Sequence, residues 1–336
     1  MLKMVGYAFA LISVLFQACK NTREKSGVAN SGAVYRLVPN WPQLPKGFVL
    51  GNPSGIGIDT NQNPVVFYRG RRTWPALWPM PSSPIKQNTI IVLDRQSGKI
   101  IKSWGAGIFV MPHGLTVDRQ NNVWVTDCGL QQVLKFNSNG KLLMRVGTAN
   151  EPGNDSVHFN RPTNVAVADD GSFYVSDGYR NSRVAKFSAQ GKFLFQWGAK
   201  GSSAGQFNIP HGVVLDEKDH VLVADRENSR IEVFDTTGKF LKEWKNENFG
   251  KMYALVFNRG NNTITAVDYI TSFAIPKGSD VIILDTAGNI VNRFGRSGGY
   301  NGPVCRYHTV AVDDDANIYT GDILNNTIQK FERVSP

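Results

Sequence analysis

One unit recurs six times along the chain, and this recurrence limits the fold more than any other feature. Met111 to Phe136, MPHGLTVDRQNNVWVTDCGLQQVLKF, opens with a Pro-His-Gly turn and an alternating apolar run, Leu115 and Val117. A polar turn from Arg119 to Asn122 leads to a second run (Val123, Trp124, Val125), then Asp127 and a third run, Val133 to Phe136. Short alternating runs bounded by Asn, Asp and Gly are strand signals, so the unit predicts consecutive antiparallel strands. Equivalent units start at Ser54, His113, Thr163, His211, Tyr253 and His308, at spacings of 59, 50, 48, 42 and 55 residues. Most add a Gly turn and a fourth run, and several of these end in Trp (Trp104, Trp197, Trp244). Four strands per repeat at this period predict an all-β chain, a six-bladed β-propeller, whose radial packing leaves only short strand edges.

The sixth copy stops after its third strand, Ile328 to Phe331. The segment Val34 to Val38 is predicted to supply the missing outer strand and close the ring, which places the propeller at 34–336. Two insertions interrupt the repeat. Thr73 to Asn88, rich in Pro and holding Trp74 and Trp78, cannot continue a central strand, because Pro lacks the ladder donor. It reads as a loop that walls or covers one face. Ser272 to Ser279 is the second insertion, in the fifth copy.

Residues 1–19 begin with Lys3 and an apolar run, Met4 to Phe16, too short for a membrane span and suited to a secretory signal. Leu15-Phe-Gln-Ala-Cys19 resembles a bacterial lipoprotein box, which implies lipidation at Cys19; ordinary cleavage near Ala18 is the alternative. Residues 20–33 form a polar tether. The expected location is the periplasm or the outer membrane of a bacterium, held to the membrane by the lipid. A formal charge of +10 could suit an anionic partner, but it reads as a generally basic, solvated surface. The densest basic cluster, Arg69-Gly-Arg-Arg72, lacks the interleaved aromatics of a nucleic-acid groove, so no nucleic-acid partner is expected, and a monomer is. Beyond Cys19 only Cys128 and Cys305 remain; they form one bridge or are two buried small residues.

The unit's first position reads Ser, His, Thr, His, Tyr, His. Alternate blades of a six-bladed ring stand about 120° apart, so His113, His211 and His308 are predicted to converge on the axis. Three imidazoles with an open position are the ligand set of catalytic zinc, although Fe, Co, Ni and Cu also accept them. His158 and His220 fall off register and read as ordinary surface residues. Fifteen residues beyond each start lie Arg69, Cys128, Gly178, Arg226, Asp268 and Ile323. Arginine suits bidentate carboxylate binding. Tyr179, beside Gly178, is a candidate base whose pKa neighbouring cations lower. Cys128 by register, and Cys305 by its place three residues before His308, are expected to line the same pocket. The recurrent Asp127, Asp177, Asp225 and Asp322 read as structural, holding loop donors.

Phe67-Tyr-Arg-Gly, Met111-Pro-His-Gly-Leu, Ser176-Asp-Gly-Tyr-Arg-Asn-Ser-Arg, Ile209-Pro-His-Gly, Ala224-Asp-Arg-Glu-Asn-Ser-Arg and Tyr307-His-Thr-Val together resemble peptidyl-α-hydroxyglycine α-amidating lyase, of the NHL-type propellers. The resemblance covers about residues 35 to 333. It implies zinc on His113, His211 and His308, active-site arginines at Arg69 and Arg226, and a catalytic tyrosine at Tyr179. It implies cleavage of an N-acyl- or peptidyl-α-hydroxyglycine to an amide and glyoxylate. It also implies a structural calcium ion on the backbone carbonyls of Ile56 and Leu115 and an Asp, but Thr309 stands at that Asp position, and a neutral hydroxyl weakens Ca²⁺ binding. The cysteines of the animal enzymes' disulfides are replaced by Asn160, Arg180, Leu222 and Val233. The rival readings are a calcium-dependent lactonase on a related propeller and a non-catalytic, lipid-anchored scaffold.

Overall fold

A computed structural model describes residues 34–75 and 80–334. The signal, the tether, Cys19 and Trp78 lie outside these residues. The described chain forms six sheets with the order of a propeller, each built from four consecutive antiparallel strands except the sixth. The fifth carries one extra short strand, Ile275–Gly278. The innermost strands are Pro53–Ile58, Pro112–Val117, Asn164–Val167, Pro210–Leu215, Lys251–Asn258 and Tyr307–Val312. Among the described residues no helix is long and apolar enough to cross a membrane.

Ring closure follows the expectation. Val34–Leu37 pairs antiparallel with the last strand, from Val34 opposite Val334 to Leu37 opposite Phe331. Tyr35 stacks on Phe294 of the fifth blade at 5.2 Å, so the closing strand is also tied across a blade boundary.

The polar turn repeats because one side chain builds it. In the second blade Asp118 Oδ1 accepts from the amides of Gln120 and Asn122, while Asn121 takes φ 62°. Asp59 and Asp216 make the same turn in the first and fourth blades. A short side-chain acceptor that substitutes for backbone, followed by a residue tolerant of positive φ, is the physical content of the Asp-x-x-Asn signal. The second and third strands are largely buried, and the outer strands are more exposed. The blades are locked edge to edge by the tryptophans that end fourth strands. Trp197 covers Gly238 of the next blade, where an added Cβ would come within 2.8 Å and φ is +81°. Only glycine meets both conditions.

The recurrent aspartates are structural. Asp127 accepts from the amides of Val110, Met111, Gly129 and Leu130. Asp177 and Asp225 each bind an Asn and an Arg of their own motif, Asn181 with Arg183 and Asn228 with Arg230. The fixed offset of fifteen fails in one blade. Asp127, Asp225 and Asp322 pair with Pro112, Pro210 and Tyr307, whereas in the fifth blade the partner of Met252 is Asp268. That blade's first turn is one residue longer, so Asp268 is a fifth member of the structural set, accepting from Gly250 and Asp280. Tyr269, not Asp268, then corresponds to Arg69 and Arg226.

Candidate metal centre and active site

The ring brings together the three histidines, Tyr179, Arg69 and Arg226. His113, His211 and His308 are buried, and their ligand atoms lie within 4.8 Å of one another. Each imidazole is set by the following blade: Nδ1 of His113 meets the carbonyl of Thr163 at 2.6 Å, that of His211 meets Tyr253 at 2.7 Å, and that of His308 meets Ser54 at 2.9 Å. The start positions therefore divide the work. Even blades supply imidazoles, and odd blades supply the carbonyls that orient them. A carbonyl accepts only, so each Nδ1 carries the proton and each Nε2 offers its lone pair. Burial first pushes all three well below the ordinary histidine pKa, followed by Arg69 for His113 and by His113 and an arginine for His211 and His308, which keeps them neutral. Three neutral, converging nitrogens with carbonyl partners behind them suit a divalent transition metal, zinc included.

Tyr179 stands against this cluster. Its hydroxyl is 3.0 Å from Nε2 of His113 and 3.0 Å from Nε2 of His211. The lowered phenol pKa expected from the sequence is not what the protein alone provides. Burial raises it to about 12, although the guanidiniums of Arg226 and Arg69 pull the other way. Arg226 reaches the hydroxyl at 3.5 Å through Nη1 and lies over the Tyr179 ring at 5.3 Å. Its charge is balanced by Glu227, which Lys251 also holds. Arg69 is almost fully buried, donates through Nε to the carbonyl of Pro112 at 2.9 Å, and has no partner on Nη2.

Three further residues complete the wall. Trp74, from the Pro-rich insertion, packs on Tyr179 at 4.7 Å and on His113 at 6.0 Å, with the Arg69 guanidinium 5.0 Å from its ring. The insertion had been assigned to a wall, but its contact residue was not readable from composition. Tyr253 lies 5.0 Å from His211 and 5.8 Å from His308; its place at a start position was the signal. Arg306, two residues before His308, donates to the Tyr253 hydroxyl.

The two cysteines are free and buried, as one of the two sequence readings has it. Cys128 donates to the carbonyl of Pro162 at 3.2 Å, behind the site. Cys305 does not line the pocket: its thiol is turned to Pro303 and Tyr300, not to the imidazoles, because it precedes the inner strand rather than following the second one. His158 and His220 bind Asp155 and Asp216 at the surface. Ile56 and Leu115 border a channel cavity of about 200 Å³ whose lining carries no carboxylate. Thr309 uses its hydroxyl to accept from the Ile56 amide at 3.0 Å, joining the first and sixth blades.

Residues 109–136, 159–187 and 207–234 match the NHL repeat. The chain is 35% identical over 327 residues to peptidyl-glycine α-amidating monooxygenase B of Xenopus laevis, covering 92% of this chain and 37% of that protein. It is 38% identical over 201 residues to peptidyl-α-hydroxyglycine α-amidating lyase 2 of Drosophila melanogaster, covering 57% of this chain and 49% of that one. The chain is a homologue of the peptidyl-α-hydroxyglycine α-amidating lyases. It spans between about a third and a half of these curated relatives' length. The propeller itself superposes on virginiamycin B lyase from Staphylococcus aureus with a TM-score of 0.55 at 14% identity, over 90% of this chain and 88% of that one. At that identity the likeness concerns the fold alone. The match to the Xenopus laevis protein extends well beyond the NHL segments.

Proposed function

We propose that this chain is a metal-dependent lyase that cleaves the C–N bond of an N-acyl- or peptidyl-α-hydroxyglycine, releasing an amide and glyoxylate. The observation that carries the reading is the Tyr179 hydroxyl, 3.0 Å from two imidazole nitrogens of a three-histidine cluster and within reach of Arg226. The amidating lyases named above supply the substrate class.

The reaction moves one proton and breaks one bond. The carbinol O–H gives up its proton, its electron pair becomes the aldehyde C=O, and the C–N pair leaves on nitrogen, which is protonated. Atoms and electrons balance without an oxidant. His113, His211 and His308 would hold zinc, which would supply the Lewis acidity that polarises the carbinol oxygen and lowers the proton affinity of oxygens beside it. Tyr179 takes the carbinol proton as the base. Arg69 and Arg226 bind the substrate carboxylate and oppose the rise in the Tyr179 pKa that burial causes. Trp74 excludes water from the Tyr179 face. A lactonase site would draw on carboxylate and Asn ligands, and the axial cluster holds imidazoles instead. Export and lipidation at Cys19 are proposed from residues 1–19 alone.

The test is glyoxylate release from N-benzoyl-α-hydroxyglycine by zinc-loaded protein. The amide and glyoxylate should appear in equal amounts; hydrolysis of the acyl bond to benzoate instead would refute the lyase assignment.

A further inference from the structure

The site holds more positive charge than one substrate carboxylate can use. Arg69, Arg226 and Arg306 surround Tyr179 and Tyr253, with Arg226 5.1 Å and Arg306 5.4 Å from the Tyr253 ring. Among the described residues, Arg226 alone of the three is paired with a carboxylate, Glu227. The aspartates that act on or touch the other two are committed elsewhere: Asp127, whose charge acts on Arg69, to four loop amides, and Asp322 to the amides of Arg306 and Leu324. Arg69 Nη2 and Arg306 Nε are both buried without a hydrogen-bond partner. A buried guanidinium N–H without an acceptor is costly, and it marks a place where an anion is received. Arg306 is also pre-positioned. Its guanidinium stacks on Tyr269 at 4.8 Å and donates to the Tyr253 hydroxyl, so little side-chain freedom is lost when it meets a ligand.

We propose that Arg306 reads a second anionic group on the acyl side of the substrate. The hydroxyglycine carboxylate is taken by Arg69 and Arg226, and Arg306 meets the other end. The substrate class is then an N-acyl-α-hydroxyglycine whose acyl part carries a carboxylate: the half-amide of a short dicarboxylic acid, or a peptide with Asp or Glu before the hydroxyglycine. This inference rests on the lyase reading for its chemistry, and on the three arginines for its selectivity.

The experiment compares kcat/KM of the zinc-loaded protein for N-succinyl-α-hydroxyglycine and N-butyryl-α-hydroxyglycine, which differ by a carboxylate in place of a methyl group. The wild type should prefer the succinyl compound by roughly tenfold or more, less so at high salt. In Arg306→Met the ratio should fall towards one, and Arg306→Lys should restore part of it, since the charge returns without the fork. A wild-type ratio near one, or a ratio unchanged in Arg306→Met, overturns the proposal. If neither compound releases glyoxylate, the lyase reading fails. Calorimetry with N-succinylglycine and N-butyrylglycine then still decides the question: tighter, Arg306-dependent binding of the succinyl compound upholds acyl-side anion recognition, and equal binding overturns it.

Discussion

Tyr179 is held between opposing effects, and its chemistry depends on which one prevails. Burial outweighs the pull of two guanidiniums and leaves the phenol raised to about 12, out of range for a base at neutral pH. A cation held by the three imidazoles would supply the remaining pull. Tyr179→Phe should therefore lower glyoxylate release by roughly 10²- to 10⁴-fold while metal content stays at the wild-type level. Steady-state kinetics with metal analysis checks both halves, and loss of metal in the variant would show a holding role instead. Glu232 offers a second test at this scale, one that bears on stability. It is buried beside Arg230, its Oε1 accepts from Gly205, and its Oε2 has no partner. Burial raises it from 4.5 to about 7, against the pull of Gly205 and Arg230. A raised carboxyl pKa gives the folded state an advantage that is full below about pH 4.5 and is lost as pH rises through about 7. Melting temperature should thus decline across that window from this group, and Glu232→Gln should flatten the decline. An unchanged slope would mean that Glu232 is ionised throughout.

In five of the six blades an aspartate on the second strand holds the strand-turn-strand unit, and the first blade has Tyr68 at that place. Asp127 gathers amides from both sides of its loop and so fixes where His113 enters the channel. Asp127→Ala leaves those donors buried without acceptors and should destabilise the fold by about 3 kcal/mol or more. Denaturant unfolding measures this, and a change under about 1 kcal/mol would show that water replaces the carboxylate. The elements were legible in the sequence because each strand carries its own period and most first turns their own Asp, with Asn258 in that role in the fifth blade. The histidines were legible for the same reason, since a fixed register converts chain position into angle about the axis. What the register could not show was the residue-level fill. Trp74 reaches the site from a loop with no repeat to align it. The one-residue longer turn of the fifth blade moved Tyr269 into the place that simple counting gave to Asp268. Arg306 stands two residues before its histidine, where the other two histidine blades have the apolar Met111 and Ile209, so the repeat gave no sign of a charged wall there.

At the scale of the molecule, the ring depends on its first and last strands meeting. Val34–Leu37 completes the sixth blade, whose inner strand carries His308. Removing residues 34–45 exposes the edge of the last strand and takes Trp41 from its place against Tyr319. The shortened chain should melt well below the intact one and lose metal together with structure; an unchanged melting temperature would mean that the ring closes without this segment. Closure also explains how residues nearly two hundred positions apart, His113 and His308, come within 4.7 Å between ring centroids. The central claim is that this closed axis holds the metal on which C–N cleavage depends. The most direct measurement is to strip the protein with chelator, add zinc back in steps, and follow glyoxylate release from an N-acyl-α-hydroxyglycine at each step. The account predicts no release from stripped protein and a linear return that levels off at about one zinc per chain. Full activity without metal, or a fully metallated protein that releases no glyoxylate, would contradict it.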